Sequence, residues 1–249
     1  MATAPRTLAT RLGALCLSLV LLSGCAVKQA TVAPEGLLNV LGPFPGFSAV
    51  DLPGDWVIES DGDLGDAQLT VVNKDGVPAI KVINGEGEFI VVRRTRAMML
   101  ATPYLSWSWN IEPPAATGFH PVRLVIGFAG VGDPDSKGGW KAQSFSMLGS
   151  RLPEHDRAVS LTWGESALQR GSLSPGVSGS TRTAPRFTVR GGRENAGSWW
   201  LETVDLADIY ARTWPGEDAS RVQVVFIGIA AAAGREPAPV YVSGIILTR

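Results

Sequence analysis

The sequence predicts an all-β fold, a jelly-roll-like antiparallel β-sandwich with one short helix. Three observations indicate this fold. Many short apolar runs alternate with turn residues along the chain. The run 105–109 (Leu-Ser-Trp-Ser-Trp) alternates strictly, which is typical of a strand with one face buried. A single helical pattern follows Asp205. Many strands and little helix favour a sandwich over the other all-β architectures.

The predicted strands are short and close together. Asp75-Gly76 favours a two-residue hairpin between the second and third strands, and Asn84-Gly85 predicts another turn of this kind before the fourth. Because no composition break divides the strands, we expect one domain over 45–249. The predicted strands are 55–59, 67–72, 77–83, 87–92, 103–111, 121–130, 157–163, 185–190, 198–204, 221–231 and 239–247.

One helix is predicted, with Asp205 as its N-cap and Pro215-Gly216 after its end. Its spacing predicts a single apolar stripe facing the core. The residues of this stripe are Leu206, Ile209, Tyr210 and Trp214.

Residues 1–24 have the composition of a secretory signal peptide, with basic residues before a short apolar stretch. The segment 22–25 (Leu-Ser-Gly-Cys) resembles the lipobox of bacterial lipoproteins, which implies lipidation of Cys25 and a membrane partner through that anchor. An ordinary signal peptide with a chance cysteine is the alternative. Ala26 stands where Asp would often mark inner-membrane retention, so the resemblance implies the periplasmic face of the outer membrane. Residues 25–44 are predicted as a lipidated tether, with 37–41 docking on the domain.

Composition excludes several classes of protein. The formal charge is −1 and the basic residues are scattered, so we expect no nucleic-acid partner. Cys16 would leave with the signal peptide, and Cys25 alone cannot form a disulfide within one mature chain.

Catalytic and metal-binding motifs are not recognisable in the sequence. His155 lies between Glu154 and Asp156, but adjacent side chains diverge, so these three groups do not form a metal or acid–base site by themselves. We predict that His155 lies in a solvated loop. The segment 61–66 begins like a calcium loop but lacks the bidentate Glu that an EF-hand requires. We interpret it as an acidic turn, with a structural calcium as the alternative. We therefore expect no metal and no cofactor, and the absence of a catalytic motif favours a non-catalytic domain without excluding an enzyme.

Aromatic residues suggest where a ligand could bind. Trp199 and Trp200 are neighbours in a strand, so they must face opposite sides. We predict Trp199 in the core and Trp200, with Glu202, on the other face near Arg186. Sugar rings stack on aromatic faces, and charged side chains bond their hydroxyls. Trp140, in a glycine-rich loop, is a further candidate. The alternative is that the helix covers this face.

The order of the strand motifs is similar to the domain of unknown function family 3047, over about residues 45–248. The resemblance rests on the runs 105–109, 123–128, 161–164, 187–190, 197–210, 224–229 and 241–245. It implies a jelly-roll-like sandwich without an established activity. The chain departs from the family at 118–121 (Gly-Phe-His-Pro) and at 230–234 (Ala-Ala-Ala-Ala-Gly). A polar site that the family shares at that end would be absent or remodelled here.

The sequence therefore favours an outer-membrane lipoprotein whose sandwich binds a carbohydrate or envelope polymer. Two alternatives remain open: a protein-interaction subunit of an envelope assembly, and a glycan-active hydrolase or lyase. Fold alone does not decide among them.

Overall fold

The computed structural model describes residues 27–42, 51–65, 68–113, 118–130, 151–175 and 184–249. Within these ranges it contains fourteen strands and one α-helix. The strands are β1 (Ala30–Thr31), β2 (Leu37–Leu41), β3 (Trp56–Ser60), β4 (Leu69–Lys74), β5 (Val77–Ile83), β6 (Phe89–Met98), β7 (Tyr104–Ile111), β8 (Val122–Ala129), β9 (Arg157–Gly164), β10 (Leu173–Ser174), β11 (Arg186–Gly191), β12 (Trp199–Asp205), β13 (Gln223–Ala231) and β14 (Pro239–Thr248), and the helix is α1 (Leu206–Thr213).

The described strands form two sheets. The larger has eight strands in the order β1-β6-β13-β8-β9-β11-β10, with β3 also pairing β6. The smaller has six strands in the order β12-β7-β14-β5-β4, with β2 also pairing β14. The predicted β-sandwich with one short helix is therefore confirmed, and each of the eleven predicted strands overlaps an observed one.

One apolar core lies between the two sheets. Trp107 and Trp109 of β7 are 0% and 1% exposed, whereas the serines between and before them face outward. The ring of Trp109 packs edge-on against that of Trp163 in the other sheet, with 5.8 Å between centroids. Alternating side chains from both sheets therefore meet in a shared interior, as in other sandwiches.

Helix α1 begins where the sequence predicts. Asp205 Oδ1 accepts hydrogen bonds from the backbone N–H groups of Ala207 and Asp208, at 2.9 and 3.1 Å. These bonds satisfy donors that a first helical turn otherwise leaves free. Leu206, Ile209 and Tyr210 are buried and Trp214 packs on the core.

Of the two predicted hairpin turns, one is confirmed. Lys74 pairs with Val77 across a turn in which Asp75 and Gly76 have φ angles of 54° and 84°. Positive φ at both central residues defines the type I′ turn that matches the twist of a hairpin.

The hairpin predicted at Asn84-Gly85 is wrong, because β5 and β6 lie in different sheets. The chain crosses between the sheets here, and Asn84 is buried. Its Nδ2 donates to the carbonyl oxygens of Gly234 and Glu236, at 3.3 and 3.1 Å, and its Oδ1 accepts from Ala238 N at 2.8 Å. Asn84 thus fixes the connection between β13 and β14 instead of forming a turn.

The segment predicted as a tether contains two strands of the sandwich. β1 pairs with β6 and β2 pairs with β14, so one strand joins each sheet. Arg93 holds this segment by donating to the carbonyl oxygens of Asn39 and Val40, at 2.7 and 2.8 Å, while its Nε pairs with Asp55 at 2.9 Å. The folded domain therefore begins before residue 45, and the predicted docking of 37–41 takes the form of a strand.

Among the described strands, two pairings are parallel, β1 with β6 and β9 with β11. A parallel pair needs a crossover instead of a tight hairpin. The chain between β9 and β11 carries β10 and a short 3₁₀ turn over Ala167–Gln169. In the described part of the chain, no helix has the length and apolar character to cross a bilayer.

Candidate functional site

A pocket of about 260 Å³ opens on the outer face of the larger sheet, at one end of its central strands. It forms where β6 and β8 begin and where β9 and β13 end, because antiparallel partners bring these termini together. The described residues that line it are Glu88, Phe119, His120, Pro121, Arg123, Ser160, Thr162, Ala184, Arg186 and Ala232.

Strand alternation aims the polar side chains into this pocket. Val122 and Leu124 enter the core, so Arg123 between them points to the opposite face. Leu161 and Trp163 likewise enter the core and direct Thr162 outward. The pocket is therefore a direct product of the pleat of the larger sheet.

Two arginines give the pocket its charge. The guanidinium of Arg186 lies over the ring of Phe119, 5.2 Å from its centroid. Burial lowers the pKa of Arg123, the charge of Arg186 lowers it as well, and the charge of Glu88 raises it. Arg123, Arg186 and Glu88 all line the pocket, so they can act together on one ligand.

Hydroxyl groups add hydrogen-bonding capacity. Thr162 Oγ1 donates to the carbonyl oxygen of Phe187 at 3.4 Å, which leaves its oxygen able to accept. The Ser160 hydroxyl makes no hydrogen bond with any residue in the described part of the chain. Both residues are at least 97% buried, with exposures of 3% and 1% for Ser160 and Thr162.

His120 forms the pocket wall as a neutral imidazole. Its Nδ1 accepts from Val122 N at 3.1 Å, which places the proton of the neutral ring on Nε2. Burial lowers the pKa of His120 from 6.5 to about 4. Its Nε2 has no hydrogen-bond partner among the described residues. His120 therefore contributes a polar wall without a charge at neutral pH.

The predicted site around Trp200 and Glu202 is wrong in its orientation. Trp200 packs on the main core, Glu202 is 1% exposed, and Val204 on the same face is buried too. Trp199 and Leu201 occupy the outward face, and Leu201 is 72% exposed. The face that the sequence analysis assigned to solvent thus faces the interior, since a shift of one residue exchanges the two faces of a strand.

Trp200 and Glu202 already have partners within the protein. The guanidinium of Arg190 lies 3.8 Å from the Trp200 ring centroid, and its Nε lies 2.5 Å from Glu202 Oε1. Arg170 approaches the other oxygen of Glu202 at 3.6 Å. The indole N–H of Trp200 donates to the carbonyl oxygen of Asn195 at 2.7 Å. These side chains therefore bind one another at the edge of the sandwich.

Arg186 is the predicted ligand-binding residue that the structure places in the pocket. Trp140 and Cys25 lie outside the described residues. His155, predicted in a solvated loop, is half-buried and packs edge-on against Phe226 at 5.0 Å. Among the described residues, no group of three His, Cys, Asp or Glu side chains could hold a metal ion.

Most residues of the pocket were not predicted from the sequence, although two signals pointed to them. The departures from the resembling family, at 118–121 and 230–234, contain four lining residues: Phe119, His120, Pro121 and Ala232. Arg123, a charged residue inside an apolar strand, was the other available signal.

No protein-family model matches the chain, and no curated protein sequence does either. Among solved structures, the chain is similar to a family 11 carbohydrate-binding module from Clostridium thermocellum in complex with a β-1,3-1,4-mixed-linked tetrasaccharide. The identity is 14%, the match covers 87% of this chain and 97% of that one, and the TM-score is 0.36.

Two further solved structures are similar over comparable lengths. A family 30 carbohydrate-binding module of a cellulosomal cellulase of Clostridium thermocellum is 14% identical, with 89% of this chain and 95% of that chain covered and a TM-score of 0.35. The xyloglucanase domain of the type three effector NopAA from Sinorhizobium fredii, in complex with cellobiose, is 11% identical, with 88% and 99% covered and a TM-score of 0.36. Similarity at this level does not carry a ligand or an activity from one chain to another.

Proposed function

We propose that the protein is a non-catalytic, carbohydrate-binding lipoprotein of the outer membrane. One observation carries the binding part of this proposal: the pocket on the larger sheet combines an aromatic ring, two guanidinium groups, a carboxylate and two hydroxyls. Concave sites with a few convergent polar groups are typical of small-ligand binding. A sugar offers an apolar ring face and several hydroxyls, and the pocket offers complements to both.

The contacts in the pocket support a sugar as ligand. Phe119 supplies an apolar face, and Arg186 beside it supplies hydrogen-bond donors next to that face. Glu88 and Thr162 can accept from sugar hydroxyls, whereas Ser160 can donate or accept. Satisfying every polar atom of such a site requires a ligand that is itself rich in hydroxyl groups, because unpaired polar groups are costly once water is displaced.

Thermal unfolding of the full chain in detergent tests the binding proposal against a panel of envelope and extracellular polysaccharides. A ligand at a hundred times its Kd stabilises a protein by about 2.7 kcal/mol, which raises the Tm measurably. We expect Phe119→Ala and Arg186→Ala to abolish the rise. Tyr104→Ala is the matched control, since Tyr104 is exposed on the other sheet and should leave the rise unchanged. A panel without any rise, or a rise that survives both pocket substitutions, would contradict the proposal.

The membrane part of the proposal rests on the lipobox-like segment ending at Cys25. One acyl chain alone binds a bilayer weakly, so stable anchoring needs several chains at this cysteine. Fractionation of cells producing the full chain tests it. The wild type and Cys16→Ala should sediment with outer membranes, and Cys25→Ala should become soluble. A Cys25→Ala protein that stays with the membrane would contradict the proposal that the protein is a lipoprotein.

A further inference from the structure

The arginines of the pocket differ from the other buried or half-buried arginines in the described part of the chain. Arg93, Arg157 and Arg190 each have a carboxylate partner, namely Asp55, Glu217 and Glu202, at 2.9, 2.5 and 2.5 Å. Arg94, which is half-buried as well, donates to the carbonyl oxygen of Arg151 at 3.4 Å. Each of these guanidinium groups therefore has an acceptor, as burial of charge requires.

Arg123 and Arg186 have no such partner. Within the described ranges, neither forms an ion pair or a hydrogen bond, although both line the same pocket. Arg186 has only the face of Phe119, at 5.2 Å, as a charge-stabilising contact in the described part of the chain. Glu88 is the one carboxylate among the described lining residues, so two positive charges face a single negative one.

His120 does not change this balance at neutral pH, because burial keeps its imidazole uncharged. The described lining of the pocket therefore carries a net positive charge. Guanidinium groups bind carboxylates through paired N–H donors, and these charge-assisted hydrogen bonds are about twice as strong as neutral ones.

We propose that the saccharide bound in this pocket is acidic and that Arg123 and Arg186 hold its carboxylate. The inference rests on the proposed carbohydrate binding and adds the chemical class of the ligand. Phe119 receives the apolar face of the sugar ring, and Ser160 and Thr162 bind hydroxyls beside the carboxylate. A uronic acid within an oligosaccharide has this combination of groups.

Isothermal titration calorimetry of the full chain in detergent tests the inference with matched ligands. The probes are oligogalacturonate and oligoglucuronate, each against the same oligosaccharide with its carboxyl groups reduced to hydroxymethyl groups. We expect at least one acidic oligosaccharide to bind tenfold or more tightly than its reduced counterpart, with an affinity that falls as salt rises. Sodium sulfate is compared with sodium chloride at the same ionic strength: a simple oxyanion site would lose more saccharide in sulfate than in chloride, whereas a uronate site should lose the same amount in both.

Arg123→Met separates a ligand-binding role from a structural one. Loss of Arg123 should weaken acidic binding more than thirtyfold and leave the weak binding of the reduced oligosaccharide unchanged. Because Met removes a half-buried cation that has no ion-pair partner among the described residues, the variant should be at least as stable as the wild type. Arg221→Met is the control, since Arg221 is exposed before β13, at the opposite end of the sheet.

The outcomes distinguish the two proposals. Equal binding of acidic and reduced oligosaccharides would overturn the acidic ligand and leave carbohydrate binding standing. A lack of binding by the probes and by the polysaccharide panel would overturn both. A loss of stability in Arg123→Met, with unchanged affinity, would make Arg123 a structural residue and contradict the inference.

Discussion

The Nε atom of Arg190 lies 2.5 Å from Oε1 of Glu202, inside the edge where the two sheets of the sandwich meet. Arg190 comes from the larger sheet and Glu202 from the smaller one, so this ion pair joins the sheets. Trp200 completes the contact by stacking under the guanidinium at 3.8 Å. Trp200 and Glu202, two residues of the sugar site predicted from the sequence, thus form a structural clamp with Arg190.

Glu202→Gln should destabilise the protein strongly. The substitution leaves Arg190 as a half-buried cation without its counter-charge, and breaking a buried pair costs about 3–5 kcal/mol. Equilibrium urea unfolding measures the change in free energy.

Asp208→Asn is the control for this clamp. Its pair with Arg212 is exposed on both sides and spans one helical turn at 3.4 Å. Such pairs contribute about 0.5 kcal/mol, so the loss should be much smaller than for Glu202→Gln. Losses of similar size in the two variants would show that the Arg190–Glu202 pair contributes no more to the free energy of unfolding than an exposed ion pair does.

Removal of the first 44 residues should prevent folding. The shortened chain 45–249 lacks β2, whose Leu38, Val40 and Leu41 are 4%, 1% and 2% exposed. Burial of each such side chain stabilises by about 1.5–3 kcal/mol, against a typical total of about 5–15 kcal/mol. Circular dichroism should show a cooperative melt for 27–249 and none for 45–249. A native melt for 45–249 would mean that β2 is dispensable.

Asn84→Ala should cost about 2–3 kcal/mol, because it leaves two carbonyl groups and one N–H of the β13–β14 connection without their partner. Asn73→Ala is the matched control, since Asn73 Oδ1 accepts one exposed bond from Gly76 N at 2.8 Å. Urea unfolding of both variants compares a buried asparagine with an exposed one. Equal losses would show that the Asn84 contacts contribute little.

His120 should make stability fall in mild acid. The folded protein keeps the pKa of His120 at about 4, whereas the unfolded chain takes up the proton near the ordinary value of 6.5. The contribution of His120 to the free energy of unfolding is complete above pH 6.5. It declines as the pH falls toward 4, because the unfolded state binds the proton first.

The variant His120→Asn isolates this effect, since Asn keeps an acceptor for Val122 N and does not titrate. Between pH 7 and pH 4, the wild type should lose about 3 kcal/mol more than the variant. His155, whose pKa is also lowered by burial, is present in both proteins and cancels. Parallel pH profiles would place the pKa of His120 near its ordinary value.

The sequence predicted the secondary structure well because its signals are local. The alternation in 105–109 predicted β7 with both tryptophans inward, and Asp205 predicted the start of α1 from the need to cap its first N–H groups. Asp75-Gly76 predicted a turn from a local preference as well, because both residues tolerate the positive φ angles that a type I′ turn requires. The lipidation of Cys25 was predicted from a motif and stays a prediction.

Tertiary structure decided the rest, because the outcome depended on residues far apart in the chain. Asn84-Gly85 resembles a hairpin turn locally, yet its strands join different sheets and Asn84 binds residues about 150 positions away. Alternation shows that Trp199 and Trp200 face opposite sides but not which side is the interior; the partner Arg190 decides that.

By itself, the sequence determined the class of fold, the strands, the helix and the turn at residue 75, since backbone preferences and side-chain periodicity act over a few residues. Only the tertiary structure determined which charged residues are paired. It neutralises Glu202 with Arg190 across the sheets, and it brings Arg123 and Arg186 from separate strands to one pocket without an ion-pair partner among the described residues. Charge pairing depends on distances in space, which the order of residues along the chain does not contain.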